Sequence, residues 1–152
     1  MAHSLPGRLR VCAGGALLLA ATASHGFDFK TVGAAPAILY DAPSTRGNKL
    51  FVAPRGMPLE VVLGYGEWVK VRDVSGELAW IELKALSSKR NVVVRTPSLK
   101  VRERTDEAAP AVFIADKGIL LDVLEAPAAG WVKVRHKDGL IGYVKGSDIW
   151  GI

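Results

Sequence analysis

The feature that most constrains this chain of 152 residues is an internal duplication. The pentapeptide WVKVR occurs at Trp68–Arg72 and again, 63 positions later, at Trp131–Arg135. Further upstream the offset is 62, and residues 50–56 (LFVAPRG) correspond to residues 112–118 (VFIADKG). The difference of one residue falls in a segment of turn composition, where an insertion is tolerated. The chain therefore contains two copies of one small module, each long enough to fold alone.

The residues within each copy follow the pattern of short β-strands. In the first WVKVR, Val69 and Val71 alternate with Trp, Lys and Arg, a period of two that puts both valines on one face of a strand. A tight-turn sequence follows in each copy, with glycine at Gly76 and at Gly139. We therefore predict an all-β fold of two small β-barrels in tandem, with five short strands in each.

The ends of the two copies show further elements and set the domain boundaries. Residues 91–96 are predicted to form an extra strand that opens the second copy. The corresponding pattern before Ala37 is weaker, so the first barrel is expected to be less complete. Residues 83–86 and 146–150 are each expected to hold a short helical turn. The predicted boundaries are 27–86 for the first barrel, 87–90 for a short junction and 91–152 for the second barrel.

Residues 1–26 have the composition of a secretion signal. Arg8 and Arg10 give a positive start, and an apolar run from residue 11 to residue 23 follows. This run of 13 residues is shorter than the roughly 20 that a membrane-spanning helix needs. Cleavage is expected after Ala23 or after Gly26, which would leave an exported, periplasmic chain without an integral membrane segment. Cys12 lacks the small preceding residues of a lipid-modified cysteine, so a lipoprotein is not expected.

The second copy resembles the bacterial SH3 (SH3b) family. The resemblance is carried by five segments: Val101-Arg102, Gly118, Gly130-Trp131-Val132-Lys133-Val134, Asp138-Gly139 and Gly142-Tyr143-Val144. The first copy shares most of this pattern but has Leu39-Tyr40 in place of Val-Arg, and Ala79 in place of the glycine before the aromatic residue. The resemblance covers about residues 37–150. It implies two SH3-like barrels in tandem.

The resemblance also implies an exported protein of the cell envelope, because SH3b modules often serve as targeting or binding domains. The implied function is non-enzymatic recognition of peptidoglycan or its stem peptides. The alternative is a protein–protein interaction module that recruits or supports an envelope enzyme and binds no glycan. Fold alone does not decide between them.

Catalytic, metal and nucleic-acid sites have little support in the sequence. After signal cleavage the chain has no cysteine, and its one secure histidine, His136, stands beside a tight turn. We therefore expect no enzyme activity, no metal and no cofactor. Carboxylates that could in principle form a glycosidase pair are Asp41, Glu60, Glu103 and Asp122. The net charge of the chain falls from +5 to +3 on loss of the two signal arginines, which is too weak a positive charge for nucleic-acid binding.

Aromatic and cationic residues outside the expected cores are the candidate ligand site. If the valines of WVKVR face the core, Trp68 and its neighbouring cations share the opposite face, which suits sugars or carboxylate-bearing peptides. In the first copy we predict a shallow groove that involves Tyr40, Tyr65 and Trp80, with Tyr65 presented on a turn. The corresponding surface of the second copy consists of four residues: Arg102, Arg104, Trp131 and Tyr143.

Overall fold

The structure is a computed structural model, and it describes residues 27–152. The predicted signal peptide, residues 1–26, lies outside the described residues. Residues 27–152 form fourteen strands and two short 3-10 turns, so the predicted all-β class is confirmed. Within this range no helix is long and apolar enough to cross a membrane.

Each copy of the repeat forms a unit of seven strands. The first unit contains β1 (Phe29–Val32), β2 (Ala37–Tyr40), β3 (Lys49–Ala53), β4 (Pro58–Tyr65), β5 (Trp68–Arg72), β6 (Leu78–Glu82) and β7 (Leu86–Ser87). The second unit contains β8 (Asn91–Val94), β9 (Leu99–Arg102), β10 (Ala111–Ala115), β11 (Leu120–Val123), β12 (Trp131–Arg135), β13 (Ile141–Lys145) and β14 (Ile149–Trp150). The predicted helical turns are present as 3-10 turns at Leu83–Ala85 and Gly146–Asp148.

The two sheets have the same strand order. It is β3-β2-β6-β5-β4-β1-β7 in the first unit and β10-β9-β13-β12-β11-β8-β14 in the second, and all of these pairings are antiparallel. Every strand of the first sheet thus has its repeat equivalent at the same place in the second. The tandem architecture predicted from the duplication is confirmed.

Three details of the predicted barrels were wrong. The sheets are not closed barrels, since β3 and β7 are the two edges of the first sheet and β10 and β14 those of the second. Each unit has seven strands instead of five, because an opening strand and a two-residue closing strand also join each sheet. The first unit is as complete as the second, because β1 supplies the opening strand that the sequence before Ala37 showed only weakly.

Strand β7 includes Ser87, so the chain between the sheets is residues 88–90.

Each sheet curls around its own core. The predicted alternation in WVKVR is confirmed, because Val69, Val71, Val132 and Val134 are all buried while their neighbours along the strands are not. The remaining core positions come mainly from aliphatic residues of the surrounding strands. Since the valines occupy the inner face, the Trp and Lys side chains of the same strands lie on the outer face.

The two units touch, as the short connection between them predicts. The buried amide of Asn91 donates a hydrogen bond from Nδ2 to the carbonyl oxygen of Gly56, at 3.0 Å. The ring of Phe29 in β1 packs edge-on against Trp150 in β14, with centroids 4.8 Å apart. At Gly151, whose φ is 131°, an added Cβ would lie 2.6 Å from the Asn91 carbonyl oxygen and 3.0 Å from Pro58 Cβ. Backbone and side chains of both units therefore pack closely at this boundary.

Gly142 allows β13 to approach β9 more closely than a larger residue would. An added Cβ would lie 2.7 Å from both the Arg102 carbonyl oxygen and Val101 Cγ1.

We expect Gly142→Ala to lower the free energy of unfolding by about 1–3 kcal/mol, because a methyl group forced into a packed core is destabilising. Urea denaturation measures this change. The repeat equivalent is the buried Ala79, and Ala79→Gly is the control, with a smaller expected loss of about 0.5–1 kcal/mol. Unchanged stability of Gly142→Ala would contradict the packing described.

Candidate ligand-binding site

Four aromatic side chains of the first unit meet on the outer face of its sheet. Strand register brings them together, because Tyr40 in β2 lies opposite Trp80 in β6, and Tyr65 in β4 lies opposite Trp68 in β5. We call the surface formed by Tyr40, Tyr65, Trp68 and Trp80 the aromatic face. All four were predicted as ligand-binding residues from the sequence, and the fold places them side by side.

The rings of the aromatic face contact one another along diagonals of the sheet. The Tyr40 and Trp68 centroids are 5.5 Å apart with an interplanar angle of 84°, and those of Tyr65 and Trp80 are 6.4 Å apart at 74°. Each contact spans an intervening strand, β6 between β2 and β5 and β5 between β4 and β6, and its edge-on geometry is the one that the ring quadrupole favours. These contacts hold the rings in a defined arrangement.

The four rings differ in their exposure to solvent. Tyr40 is buried under its neighbours, Trp68 and Trp80 are half-buried, and Tyr65 is 66% exposed. Tyr65 was expected on a turn, but it is the last residue of β4 and pairs with β5, and its ring reaches solvent from the end of a strand. The face therefore has a buried base and one exposed ring at its margin.

A cation lies next to this face. Lys70 Nζ is 5.9 Å from the centroid of the Trp80 ring, within the range of a cation–π contact. Lys70 makes no ion pair within residues 27–152, whereas Arg72 on the same strand is held by both carboxylate oxygens of Glu60 at 3.1 and 3.2 Å. The ammonium group of Lys70 is thus available to a ligand, while the guanidinium of Arg72 is engaged. Flat rings beside a free ammonium group suit a sugar that carries a carboxylate-bearing substituent.

The second unit replaces the aromatic face by a more polar surface. Arg102 stands where the first unit has Tyr40, opposite Tyr143, and its Nη1 donates to the Ala109 carbonyl oxygen at 2.8 Å. Lys133 Nζ lies 6.0 Å from the Tyr143 ring centroid and 2.8 Å from Glu125 Oε1. The hydrogen bond that Lys133 donates to Glu125 raises the pKa of Lys133, with a smaller contribution from the charges of Glu125 and Tyr143. Here the cation above the ring is already paired.

A hollow of about 250 Å³ lies beside this polar surface. Trp131 and Arg102 line it together with Lys145 and Glu107, whose side chains form an ion pair that lowers the pKa of Glu107 through a hydrogen bond from Lys145. The fourth predicted residue, Arg104, lies outside the hollow and faces solvent beside Glu103. The structure thus brings Arg102 and Trp131 together at the hollow and leaves Arg104 apart.

Sequence reasoning did not identify Lys145 and Glu107 as neighbours of the predicted site. They are 38 residues apart, and no repeat or motif relates them. Only the pairing of β13 with β12 and β9 shows that Lys145 lies at the same end of the sheet as Trp131. The register of the strands is the signal that would have found Lys145, whereas Glu107 lies in the loop between β9 and β10.

The residues considered for catalysis have structural partners instead. His136 Nδ1 accepts the amide of Asp138 at 3.3 Å in the predicted turn. Asp41 accepts two hydrogen bonds from Asn48, and Glu103 lies at the surface beside Arg104. Within residues 27–152 no cluster of three or more potential metal ligands is present.

Asp122, another of the predicted carboxylates, is shared by two cations. Its carboxylate lies 3.0 Å from Lys89 Nζ and 3.0 Å from Arg135 Nη2. Burial raises the pKa of Asp122, but the hydrogen bonds from Lys89 and Arg135 together outweigh burial and lower it overall. Asp122 is therefore an ionised, ion-paired group near neutral pH, and it lacks the raised pKa that a carboxyl group needs to act as a general acid.

Comparison with known proteins agrees with the repeated architecture. The model of the family described as bacterial SH3 domain matches the chain twice, at residues 33–88 and 96–151. The chain belongs to the bacterial SH3 domain family. The two family matches fall on the two seven-stranded units, so the resemblance predicted for both copies is confirmed. A search of curated proteins found no match.

Three solved structures that are similar to this chain belong to larger proteins. NlpC2 from Trichomonas vaginalis is 10% identical over 82% of this chain and 48% of its own, and NlpC1 from the same organism is 12% identical over 90% and 50%. An NlpC/P60 family protein from Bacillus cereus is 17% identical over 81% and 56%. The TM-score is 0.38 in all three cases, a similarity that says nothing about function. The chain spans about half the length of these proteins.

The ion pairs of Asp122 make the stability of the folded protein depend on pH. Because the pKa of Asp122 in the folded protein is below its ordinary value of 3.8, the carboxylate stabilises the fold above pH 3.8, and this contribution is lost as the pH falls further. We expect Asp122→Asn to lower the free energy of unfolding at pH 7 by up to about 1 kcal/mol. The difference from the unsubstituted protein should shrink below pH 3.8, as measured by urea denaturation across pH.

Asp116→Asn is the matched control, because Asp116 is exposed and makes no ion pair within the described residues. Its stability should follow that of the unsubstituted protein at every pH. A difference for Asp122→Asn that is independent of pH would contradict the role assigned to its ion pairs.

Proposed function

We propose that this protein is a non-enzymatic binding protein of the cell envelope, exported to the periplasm, that recognises peptidoglycan through the aromatic face of its first unit. The observation that carries the proposal is the grouping of Tyr40, Tyr65, Trp68 and Trp80 on one outer face. Lys70 lies beside them and makes no ion pair within residues 27–152. Membership of the bacterial SH3 domain family agrees with an envelope role.

The aromatic face has groups that suit a glycan with attached peptides. The flat rings of Tyr and Trp stack on the apolar faces of sugars, and each ring offers a larger contact area than an aliphatic side chain does. The ammonium group of Lys70, 5.9 Å from the Trp80 centroid, is placed to pair with a carboxylate on a ligand that lies across Trp80. Peptidoglycan combines both features, since its glycan carries peptides that bear free carboxyl groups.

The packing of the aromatic face favours a ligand over a purely structural role for the exposed ring. Tyr40 is buried and Trp68 covers it, so these two rings stabilise the sheet whether or not a ligand is bound. Tyr65 is 66% exposed, and its repeat equivalent lies in the loop between β11 and β12, so the fold does not require a tyrosine there. Tyr65 is therefore the residue that separates binding from folding.

Binding without catalysis accounts for the partners of the polar residues. The carboxylates considered for hydrolysis accept hydrogen bonds from Arg72, Asn48, Lys89 or Arg135, or lie at the surface. Groups so engaged stabilise strands and turns, and none is left free in a cleft to act as an acid or base.

The proposal is tested by retention of residues 24–152 on purified insoluble peptidoglycan. We expect Tyr65→Ala to weaken binding by about threefold to tenfold, the loss typical of one aromatic contact. Phe27→Ala is the matched control, because Phe27 is 68% exposed but lies outside the aromatic face. Circular dichroism shows whether both variants are folded.

Equal retention of both variants would overturn the assignment of the site to the aromatic face. Failure of the unsubstituted protein to bind at low salt would overturn wall recognition itself. It would favour the alternative of a protein partner, which the exposed apolar residues Leu50 and Val52 on edge strand β3 are placed to contact.

A further inference from the structure

A second concave surface, of about 790 Å³, lies between the two units. The first unit contributes the β3–β4 turn with Arg55 and Gly56, and the second contributes the β10–β11 turn at Gly118 and the β12–β13 turn at Lys137. None of the four residues of the aromatic face lines this space. We call it the inter-unit cleft.

The inter-unit cleft carries an excess of positive charge. Four cations line it, namely Arg55, Lys89, Arg135 and Lys137, while Asp122 is the one carboxylate among the lining residues. Lys89 and Arg135 share Asp122, which can neutralise only one of the two. Arg55 and Lys137 make no ion pair within residues 27–152. A cleft with clustered charge of one sign attracts ligands of the opposite sign.

The rest of the lining argues for a peptide over a sugar. Val32, Ile119 and Leu120 give the cleft an apolar part, and no Phe, Tyr or Trp side chain among residues 27–152 lines it. A sugar binds best on such aromatic rings, which the cleft lacks. A ligand with small apolar side chains and carboxylates would contact the aliphatic residues and pair with the cations. Such a ligand is an acidic peptide.

Contacts between the units hold the cleft in shape. The hydrogen bond from Asn91 Nδ2 to the Gly56 carbonyl oxygen crosses the boundary at the cleft, and Asn91 is 5% exposed. The Phe29–Trp150 contact joins the two units as well. Because the backbone segments on the two sides of the cleft are held together before a ligand arrives, less ordering entropy is lost on binding.

From these observations we propose that the inter-unit cleft binds the carboxylate-bearing stem peptide of peptidoglycan, as a site separate from the aromatic face. The proposal rests on the proposed function, because it names the part of the same polymer that a second surface recognises. Arg55 from the first unit and Lys137 from the second pair with ligand carboxylates. Neither unit alone contains this site.

The test is titration of the ¹⁵N-labelled chain, residues 24–152, with soluble muropeptides released from peptidoglycan by a muramidase. The backbone amide signals of Gly56 and Gly118 report on the cleft, since both residues line it. We expect these signals to shift, and Arg55→Gln combined with Lys137→Gln to weaken binding at least about tenfold, as loss of charge-assisted hydrogen bonds does. Muropeptides whose carboxyl groups are blocked as methylamides should bind the unsubstituted protein as weakly as unblocked muropeptides bind the double variant.

Arg46→Gln combined with Arg95→Gln is the matched control. It also removes two positive charges, but from exposed arginines that lie outside both the cleft and the hollow of the second unit. Unchanged binding by the Arg55/Lys137 variant, an equal loss in the control, or equal binding of blocked muropeptides would overturn the proposal. Retention on intact peptidoglycan that depends on Tyr65 would still stand after such a result, so failure here is distinguishable from failure of the proposed function.

Discussion

The structure depends on the burial of two valines in the central strand of each sheet. Val71 and Val134 are fully buried, Val69 and Val132 nearly so, and each such side chain contributes about 1.5–3 kcal/mol relative to an exposed one. Their inward direction fixes which residues of β5 and β12 point outward. A slip of one residue in register would bury the Trp and Lys side chains and expose the valines, so core packing and the position of the outer aromatic residues are set together.

Sequence predicted the elements that depend on local pattern and missed those that depend on distant pairing. The duplication predicted two equivalent units, and the alternation of WVKVR predicted the orientation of its residues. Closure of the sheets was predicted wrongly, because whether the edges β3 and β7 pair depends on sheet curvature and not on any motif. The inter-unit cleft was missed because its cations are exposed turn and strand residues whose proximity follows only from how the units pack.

The aromatic face and the inter-unit cleft show how one duplicated module acquires different surfaces. At equivalent positions the first unit has Tyr40 and the second has Arg102, while the inward residues around them remain aliphatic. Outer positions can diverge because they do not fill the core, where changes in volume are costly. The cleft needs no divergence of this kind, because it arises from the joining of the two units.

The contact between Phe29 and Trp150 has a consequence for how the protein unfolds. Phe29 lies in the first strand of the described chain and Trp150 in the last, and Phe29 belongs to neither of the two core clusters although it is buried. Melting of the second unit would expose this ring to water and leave the Gly56 carbonyl oxygen without the hydrogen bond that Asn91 donates. The units consequently share part of their folding free energy, and unfolding of one lowers the stability of the other.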